Sequence, residues 1–410
     1  MNRIALLCVL VLLGGRGVAL AQDASSDQSA QSAGQPASRV ALIEQEQAAK
    51  AQALKPASVG AAERYVTDIS EIMLSGQMHW HPFWQSAYSG GGFTIGAGYL
   101  RFVSPYNTLD VRGSITPSGY KRLEAQFLAP GIFTRRGTLS VLGGWREATE
   151  VGFYGFGTSS SLDKRANYSF QQPYLSAQLE VFPARNPFVV RGGFEVTQWK
   201  QNPGSGDVPS VEQVYTPETL PGLGARPVYA HTLATVGSDS RQARGYARRG
   251  GFYGVTVHDF SDPDHLYGFN QIDYEAIQHI PVLRDSWVIS LHGLAQTTYD
   301  KAGQHIPFFM MPSIGGGSDL RAYTSWRLRD LNSLVLQAEW RVIVNRFLDM
   351  ALFVDAGKAT ARRADLDLTG LMKDVGLGFR LHGPVATPLR IEFTHGREGF
   401  GLVLAASEVF

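Results

Sequence analysis

The strongest constraint on the fold is an alternation of apolar and polar residues with a period of two. It repeats in runs of roughly ten residues from about Phe93 to Phe410. The run 334–342 reads LVLQAEWRV, in which Leu, Ala and Trp share one parity while Gln, Glu and Arg share the other. Successive side chains of a β-strand point to opposite faces, so each such run predicts a strand with one apolar and one polar face.

The apolar stretches are too short for helical membrane spans. Beyond the N-terminal run, none reaches the length of about eighteen uninterrupted apolar residues that a spanning helix needs. A charged row opposite an unbroken apolar row, repeated over many strands, favours a barrel with lipid outside and water inside over a soluble sandwich. The predicted fold class is therefore all-β, a transmembrane antiparallel β-barrel with a short N-terminal helical extension.

The turn residues between the runs divide the barrel region into candidate strands. Fifteen can be counted, whereas bacterial single-chain barrels have an even number, so either one more strand lies around Gln77–Ala87 or a long segment is wrongly divided; the predicted number is sixteen. The fifteen lie near 93–103, 106–115, 119–129, 136–147, 168–183, 187–199, 228–239, 249–260, 266–280, 285–299, 331–345, 348–358, 372–382, 387–395 and 400–410.

The N-terminal region has the features of a secretory leader. A charged start, an apolar run to Leu13 and the Ala-Leu-Ala sequence ending at Ala21 predict a signal peptide over 1–21, cleaved before Gln22. The single cysteine, Cys8, falls within it. The mature chain is therefore expected to have neither disulfides nor thiolate metal sites.

Residues 22–76 are predicted to form a periplasmic segment ahead of the barrel domain, 77–410. Its first part is a low-complexity tether of Ala, Gln and Ser, whereas 61–74 carries apolar residues at helical spacing. This amphipathic helix needs a docking surface. The rim of the barrel, the lumen and a partner protein all remain open as that surface.

Several function classes are excluded or disfavoured. Lys plus Arg, 37, nearly balance Asp plus Glu, 36, which argues against a nucleic-acid partner. No Gly-x-Ser-x-Gly elbow occurs and the histidines are scattered, so we expect no catalytic residues and no enzyme activity. His79 with His81 and the acidic turn at 259–265 lack a full ligand set. We therefore predict no metal and no cofactor.

Four segments carry a family resemblance, in order along the chain. Residues 314–323 read IGGGSDLRAY, 337–341 read QAEWR, 353–357 read FVDAG and 375–380 read VGLGFR. They resemble the signatures of the BamA/TamA-type outer-membrane assembly and bacterial surface antigen superfamily. Weaker matches are FYGFG at 153–157, DSR at 239–241 and the terminal Val409-Phe410.

In that superfamily an Arg-Gly-aromatic loop tip folds back into the barrel. Ala322 stands where the family has glycine, which limits backbone freedom, so we expect a less tightly folded loop here. No periplasmic POTRA module is apparent before the barrel. We therefore expect a POTRA-less short member.

The resemblance implies a latch between the loop and the barrel wall. On their strands, Glu339 and Asp355 have the parity of the lumen face, and Gly357 shares that of Asp355. The parity of these residues shows only that they share the lumen face of their strands. The resemblance adds that Arg321, beside Tyr323 at the loop tip, pairs with both carboxylates, since a guanidinium can serve two of them. Water in the lumen is expected to screen this pair. It also points to Gly401 and Phe410 as residues of a seam strand.

The function implied is the insertion or translocation of proteins, or of lipids, through a weak seam between the first and last strands of a barrel in the bacterial outer membrane. Its partners would be outer-membrane lipid and outer-membrane client proteins, and the barrel would be a monomer. The alternative is a passive channel or structural porin whose lumen is constricted by the loop 314–330. An assembly barrel would be nearly closed to ions at rest, whereas a porin conducts steadily.

Overall fold

A computed structural model describes residues 79–410 of the chain apart from 184–186, 284–285, 384–385 and 406–408, together with the helical residues Ile43, Gln45 and Ala49. The predicted signal peptide and the helix expected at 61–74 lie outside the described residues. Within the described part of the chain, no helix has both the length and the apolar character needed to cross a membrane.

Nearly all regular structure is β-strand. The strands are β1 Trp80–Pro82, β2 Ile95–Phe102, β3 Thr108–Ile115, β4 Lys121–Gly131, β5 Gly137–Phe153, β6 Ala166–Val181, β7 Phe188–Gln198, β8 Lys200–Pro203, β9 Val228–Asp239, β10 Gly250–Ser261, β11 Phe269–Val282, β12 Trp287–Asp300, β13 Ser313–Ile314, β14 Leu328–Arg329, β15 Asn332–Ile343, β16 Leu348–Thr360, β17 Met372–Leu381, β18 Leu389–Gly396 and β19 Gly399–Ala405. The helical segments are single turns: α1 Ile132–Arg135, α2 Val211–Val214 and the 3₁₀ turns Leu162–Lys164, Phe308–Met310 and Arg363–Asp365.

Seventeen strands form one antiparallel sheet, and β13 pairs with β14 separately. Because β7 and β8 both pair with β6, β8 continues β7 after a short break, so the sheet has sixteen strand positions. The first position is β1, which pairs with β2 and lies where the sequence predicted an additional strand. The predicted fold class and strand number are confirmed.

The alternation in sequence becomes an alternation of exposure. On β15, Gln337, Glu339 and Arg341 are buried, whereas Trp340 is 40% exposed. On β16, Asp355 is completely buried while its neighbour Val354 is 41% exposed. The polar row therefore faces the interior and the apolar row faces outward, the reverse of a soluble core and the arrangement of a transmembrane β-barrel.

Strand length differs greatly around the wall. The longest strand, β5, has 17 residues, whereas β1 has 3 and β19 has 7. Each strand position from β1 to β19 has a pairing register with the next one along the chain. Between β19 and β1 no such register occurs among the residues that the structure describes. The shortest part of the wall therefore lies where the two ends of the sheet meet.

Antiparallel order assigns every connection to one of two ends of the barrel. Long connections such as 204–227 and 301–331 lie at one end, which we call the loop end. Short connections such as 283–286 and 344–347 lie at the other, the turn end, together with the longer turn 240–249. In outer-membrane barrels short turns face the periplasm and long loops face outward.

Aromatic side chains pack against one another at the loop end. Phe308 has ring centroids 5.4 Å from Phe153 and 4.8 Å from Tyr168, and Phe170 lies 5.0 Å from Trp199. Such edge and tilted contacts are the favoured geometries of aromatic pairs. The loops therefore have a hydrophobic core of their own above the polar lumen.

The inside-out barrel generates a direct prediction. Because each strand position from β1 to β19 is bonded to the next one along the chain, the protein should resist detergent and migrate faster unboiled than boiled on a gel. Circular dichroism of the detergent-purified chain should show predominantly β structure. A mainly helical spectrum, or an identical migration before and after boiling, would contradict the fold.

Candidate functional site

Part of the connection 301–331 is a narrow segment that enters the barrel. Ile314 of β13 pairs with Leu328 of β14, which brings the two ends of the tongue together. Gly315 and Gly316 have φ values of 121° and 106°, a backbone region that side chains disfavour, and they turn the chain toward the lumen. We call residues 315–327 the tongue, with Arg321 at its tip.

Arg321 forms a two-pronged salt bridge with Asp355 of β16. Its Nε lies 2.7 Å from Oδ2 and its Nη2 lies 2.8 Å from Oδ1 of the carboxylate. Both side chains are completely buried. This bidentate geometry is the strongest form of a guanidinium–carboxylate pair, because both N–H bonds point at acceptors.

The same guanidinium reaches two further acids and an aromatic ring. Its Nη1 lies 3.0 Å from Glu392 of β18 and 3.6 Å from Glu339 of β15, and its Cζ lies 3.3 Å from the centre of the Phe353 ring. Burial by itself would lower the pKa of Arg321, but Asp355, Glu392 and Glu339 outweigh it and the pKa is raised. Arg321 is therefore a permanent cation among three carboxylates.

Two further hydrogen bonds reach the acids beside Arg321. Asp355 and Asp374 oppose each other in the register of β16 and β17, so two carboxyl groups lie side by side on the lumen face. The backbone N–H of Ala322 donates to Asp374 at 3.1 Å, while Gln337 donates to Asp355 at 3.1 Å. Gln337 also donates to the carbonyl of Asp319 at 3.0 Å, which ties β15 to the tongue.

Behind the tip, two further arginines extend the network. Arg380 of β17 contacts Glu339 and lies 3.2 Å from Glu392. Arg390 of β18 lies 2.7 Å from Glu392 and donates to the carbonyl of Gly317 at 3.2 Å. Three arginines therefore lie among three carboxylates from β15, β16 and β18, which lowers the cost of burying each one.

Two glycines make room for the tongue and the ring. A Cβ at Gly357 would lie 2.9 Å from both Ile314 Cδ1 and the Leu334 carbonyl oxygen. A Cβ at Gly376 would overlap the ring of Phe353, on which Arg321 stacks. Tyr323 is buried and donates from its hydroxyl to the Lys373 carbonyl at 2.9 Å. The absence of a side chain at these two wall positions thus leaves the space that the docked tongue and the Phe353 ring occupy.

The structure places Arg321, Tyr323, Glu339, Asp355 and Gly357 together, all against the tongue. The sequence reasoning did not single out Asp374, Arg380, Arg390 or Glu392. Arg390 and Glu392 carried the signal of lumen parity, but parity cannot show which of many inward charges meet a loop.

Three expectations differ from the structure. Ala322 does not loosen the tip, because it has no positive φ and its N–H is bonded to Asp374. Gly401 does lie on the last strand, but Phe410 lies beyond the end of β19. Its ring stacks 5.0 Å from His292 of the lumen wall. The latch is also fully buried, where a pair screened by lumen water was expected.

The tongue contacts both ends of the sheet. On the side of β19, Arg327 pairs with Glu398 at 2.7 Å, and a Cβ on Gly317 would lie 2.9 Å from Val403. On the side of β1, the indole N–H of Trp326 donates to the Ser89 carbonyl at 2.9 Å. The tongue therefore connects the segment that follows β1 to the last strand.

Within the described ranges, no group of three or more His, Cys, Asp or Glu residues is placed to hold a metal ion. His81 instead bonds to Asp110 at 2.9 Å. In the acidic turn, Asp262 accepts the N–H groups of Leu266 at 3.1 Å and Tyr267 at 2.9 Å. Both segments weighed as metal sites thus have their polar groups paired within the protein.

Comparison with solved structures identifies the type of fold. The crystal structure of BamA from Haemophilus ducreyi lacking POTRA domains 1–3 aligns with a TM-score of 0.57 at 14% identity, covering 80% of this chain and 67% of that one. CdiB from Escherichia coli aligns with a TM-score of 0.53 at 13% identity, covering 80% of this chain and 59% of that one. No protein-family model and no curated protein sequence matches the chain.

The likeness at such low identity shows the fold alone: this chain has the β-barrel fold seen in both structures. The resemblance predicted from the sequence is confirmed at this level. The chain spans only part of each of these two proteins.

The latch predicts a non-additive pair of mutations. Arg321→Ala and Asp355→Ala each leave buried charge without its partner, so each should destabilise the docked tongue by about 3–5 kcal/mol. The double variant should be little worse than Arg321→Ala alone, because the contact between Arg321 and Asp355 is lost in all three. Protease cleavage within 312–330 of the detergent-purified barrel measures docking. Arg362→Ala is the control, since its ion pair with Asp365 is exposed; simple additivity would contradict the latch.

A second prediction concerns Gly376. A methyl group there overlaps the Phe353 ring, so Gly376→Ala should destabilise the barrel by about 1–3 kcal/mol. Gly192→Ala is the matched control, because a Cβ at this strand position of β7 meets nothing within 4 Å. The denaturation midpoint of each variant in detergent provides the comparison. Equal midpoints for the two variants would show that the Phe353 ring and the nearby Phe393 carbonyl both move away at little cost.

Proposed function

We propose that this chain is an integral outer-membrane barrel that aids the insertion or translocation of proteins, or of lipids, through the seam between β1 and β19. The observation that carries the proposal is the mismatch at that seam. The first strand, β1, has three residues whereas the last strand, β19, has seven, and no register pairs the two among the residues that the structure describes. Even full pairing with β1 would leave part of β19 with free backbone N–H and C=O groups.

A strand with unpaired backbone groups is a template for another strand. Most β-sheet proteins conceal such edges, whereas a barrel that receives nascent strands needs one. The outer face of β19 supports contact with lipid, because Phe400, Leu402 and Leu404 are exposed there. An entering strand would thus find backbone partners at the edge and lipid on its apolar side.

The tongue suggests how the seam is kept closed at rest. Trp326 bonds to the segment after β1, and Arg327 bonds to the turn before β19, so a docked tongue holds the two sides of the seam together. Arg321 anchors that tongue to β16 and β18. In this proposal, undocking of the tongue precedes opening of the seam.

Location and partners follow from the same surface. The outward apolar rows fit a bilayer, and the signal sequence predicted at 1–21 would direct export, which together support the bacterial outer membrane. The partners proposed are outer-membrane lipid and unfolded outer-membrane client proteins. The barrel is proposed to act as a monomer and to carry out no chemical step.

The proposal predicts faster client folding. A purified, urea-unfolded eight-stranded outer-membrane barrel should insert severalfold faster into vesicles containing this protein than into empty vesicles, as measured by the folded band on unboiled gels. The resting vesicles should conduct ions poorly. No acceleration, combined with steady conductance, would replace the proposal with the passive channel.

A disulfide tests whether the tongue must undock. A Cβ on Gly396 would lie 3.0 Å from the Cβ of Ala322, about 0.5 Å below the range of about 3.5–4.5 Å in disulfides, so a small outward shift brings the two positions into bonding range. Oxidised Ala322→Cys/Gly396→Cys should lose the acceleration and regain it on reduction. Ala322→Cys alone, under the same oxidant, is the control. Full activity in the oxidised double variant would contradict undocking while leaving insertion itself in place.

A further inference from the structure

The turn 240–249 crosses the mouth of the barrel at the turn end. It joins β9 to β10, yet its contacts lie past β11 and β12, on β15, β16 and the connection between β17 and β18. The other connections at this end, such as 283–286 and 344–347, are only a few residues long. A longer turn that returns over the lumen obstructs it.

Tyr246 docks the turn on the far wall. Its hydroxyl donates to Asp349 of β16 at 2.7 Å. Its ring stacks on His382 with centroids 4.0 Å apart and planes 7° from parallel. All three side chains are buried. Tyr246, from the connection between β9 and β10, is therefore held by side chains on the other side of the barrel.

Backbone carbonyls of the turn are bonded to the same wall. Arg341 of β15 donates to the carbonyl of Ala247, and its guanidinium lies 5.1 Å from the centre of the Tyr246 ring. Thr387 donates from its hydroxyl to the carbonyl of Gly245 at 3.1 Å. Three consecutive residues of the turn are thus fixed by side chains of three different strands or their connections.

The base of the turn is held on its own side of the barrel. Arg241 pairs with Asp239 at 3.0 Å, and Arg244 pairs with both Asp239 and Glu180 at 2.9 Å. These pairs use acids of β9 and β6. The start of the turn is therefore held by β6 and β9, and its middle is held on the other side of the barrel by β15, β16 and the connection between β17 and β18.

The C-terminal residue fills space beside this turn. Phe410 packs with buried Val189, Phe252 and Ile277, which lie near the turn end of β7, β10 and β11. Its ring lies 6.1 Å from that of His279. The turn end of the lumen therefore contains both the turn 240–249 and the apolar cluster around Phe410.

We propose that the turn 240–249 is a second gate of the lumen, in series with the tongue and at the opposite end. The tongue docks through Arg321 on Asp355, and the turn docks through Tyr246 on Asp349, so the two docks use different residues of the same wall. Either one alone keeps the path closed. Transit through the lumen requires both to open, and this holds whether or not the seam serves client insertion.

Single-channel recording in planar bilayers tests the series arrangement. The variants are Tyr246→Ala for the turn, Arg321→Ala for the tongue, and the double. Potassium conductance should stay near the wild-type level in each single variant and rise at least about tenfold in the double. Gln242→Ala is the matched control, because Gln242 is an exposed residue of the same turn.

Two outcomes would overturn the inference. If Tyr246→Ala alone conducts like the double variant, the gates are not in series. If the double variant conducts no more than Arg321→Ala alone, the turn is no gate. Should Tyr246→Ala fail to fold, Asp349→Asn combined with Arg321→Ala weakens the same dock at constant size and must give the same increase.

Discussion

The structure depends on one cation buried among carboxylates from separate strands. Arg321 takes acceptors from β15, β16 and β18, and the next residue of the chain supplies an N–H to β17. Without these donors, Asp355 and Asp374 would face each other in a space closed to water. The tongue therefore supplies donors to the buried carboxyl groups of the wall, and the wall supplies acceptors to the buried cation of the tongue. This mutual requirement explains why a polar loop lies inside a barrel instead of in solvent.

The fold was predictable because alternation is a local property. Each run of residues reports its own two faces, so fifteen strands could be counted from the runs and their turns, and the sixteenth, β1, was expected from the even strand number of bacterial barrels. Strand ends were less predictable. β5 was expected over 136–147 but continues to Phe153, past an irregularity in its pairing with β6 between Ala148 and Val151. Above the membrane, nothing in the pattern marks where a strand stops and its loop begins.

The candidate site was predictable only in part. The resemblance named Arg321, Asp355 and Glu339, whereas Asp374 and Glu392 had nothing but their parity to distinguish them from other inward charges. Which inward acids a loop meets is set by the path of its tip, a property of the folded barrel. Phe410 shows the same limit. Its run of alternating residues predicts a strand to the end of the chain, and no local pattern indicates that the last residue packs inside the lumen.

The position of Arg321 in the chain has a consequence for folding kinetics. Every acid that it contacts comes later in sequence, from Glu339 to Glu392. The tongue therefore has no complete partner until β18 has joined the sheet, and closing so long a chain segment precedes any gain in contact energy. During assembly the Arg321 side chain would stay hydrated, and its binding to the carboxylates of the wall would be among the last folding events. A nearly complete barrel would then be held in a protease-sensitive intermediate until that final contact forms.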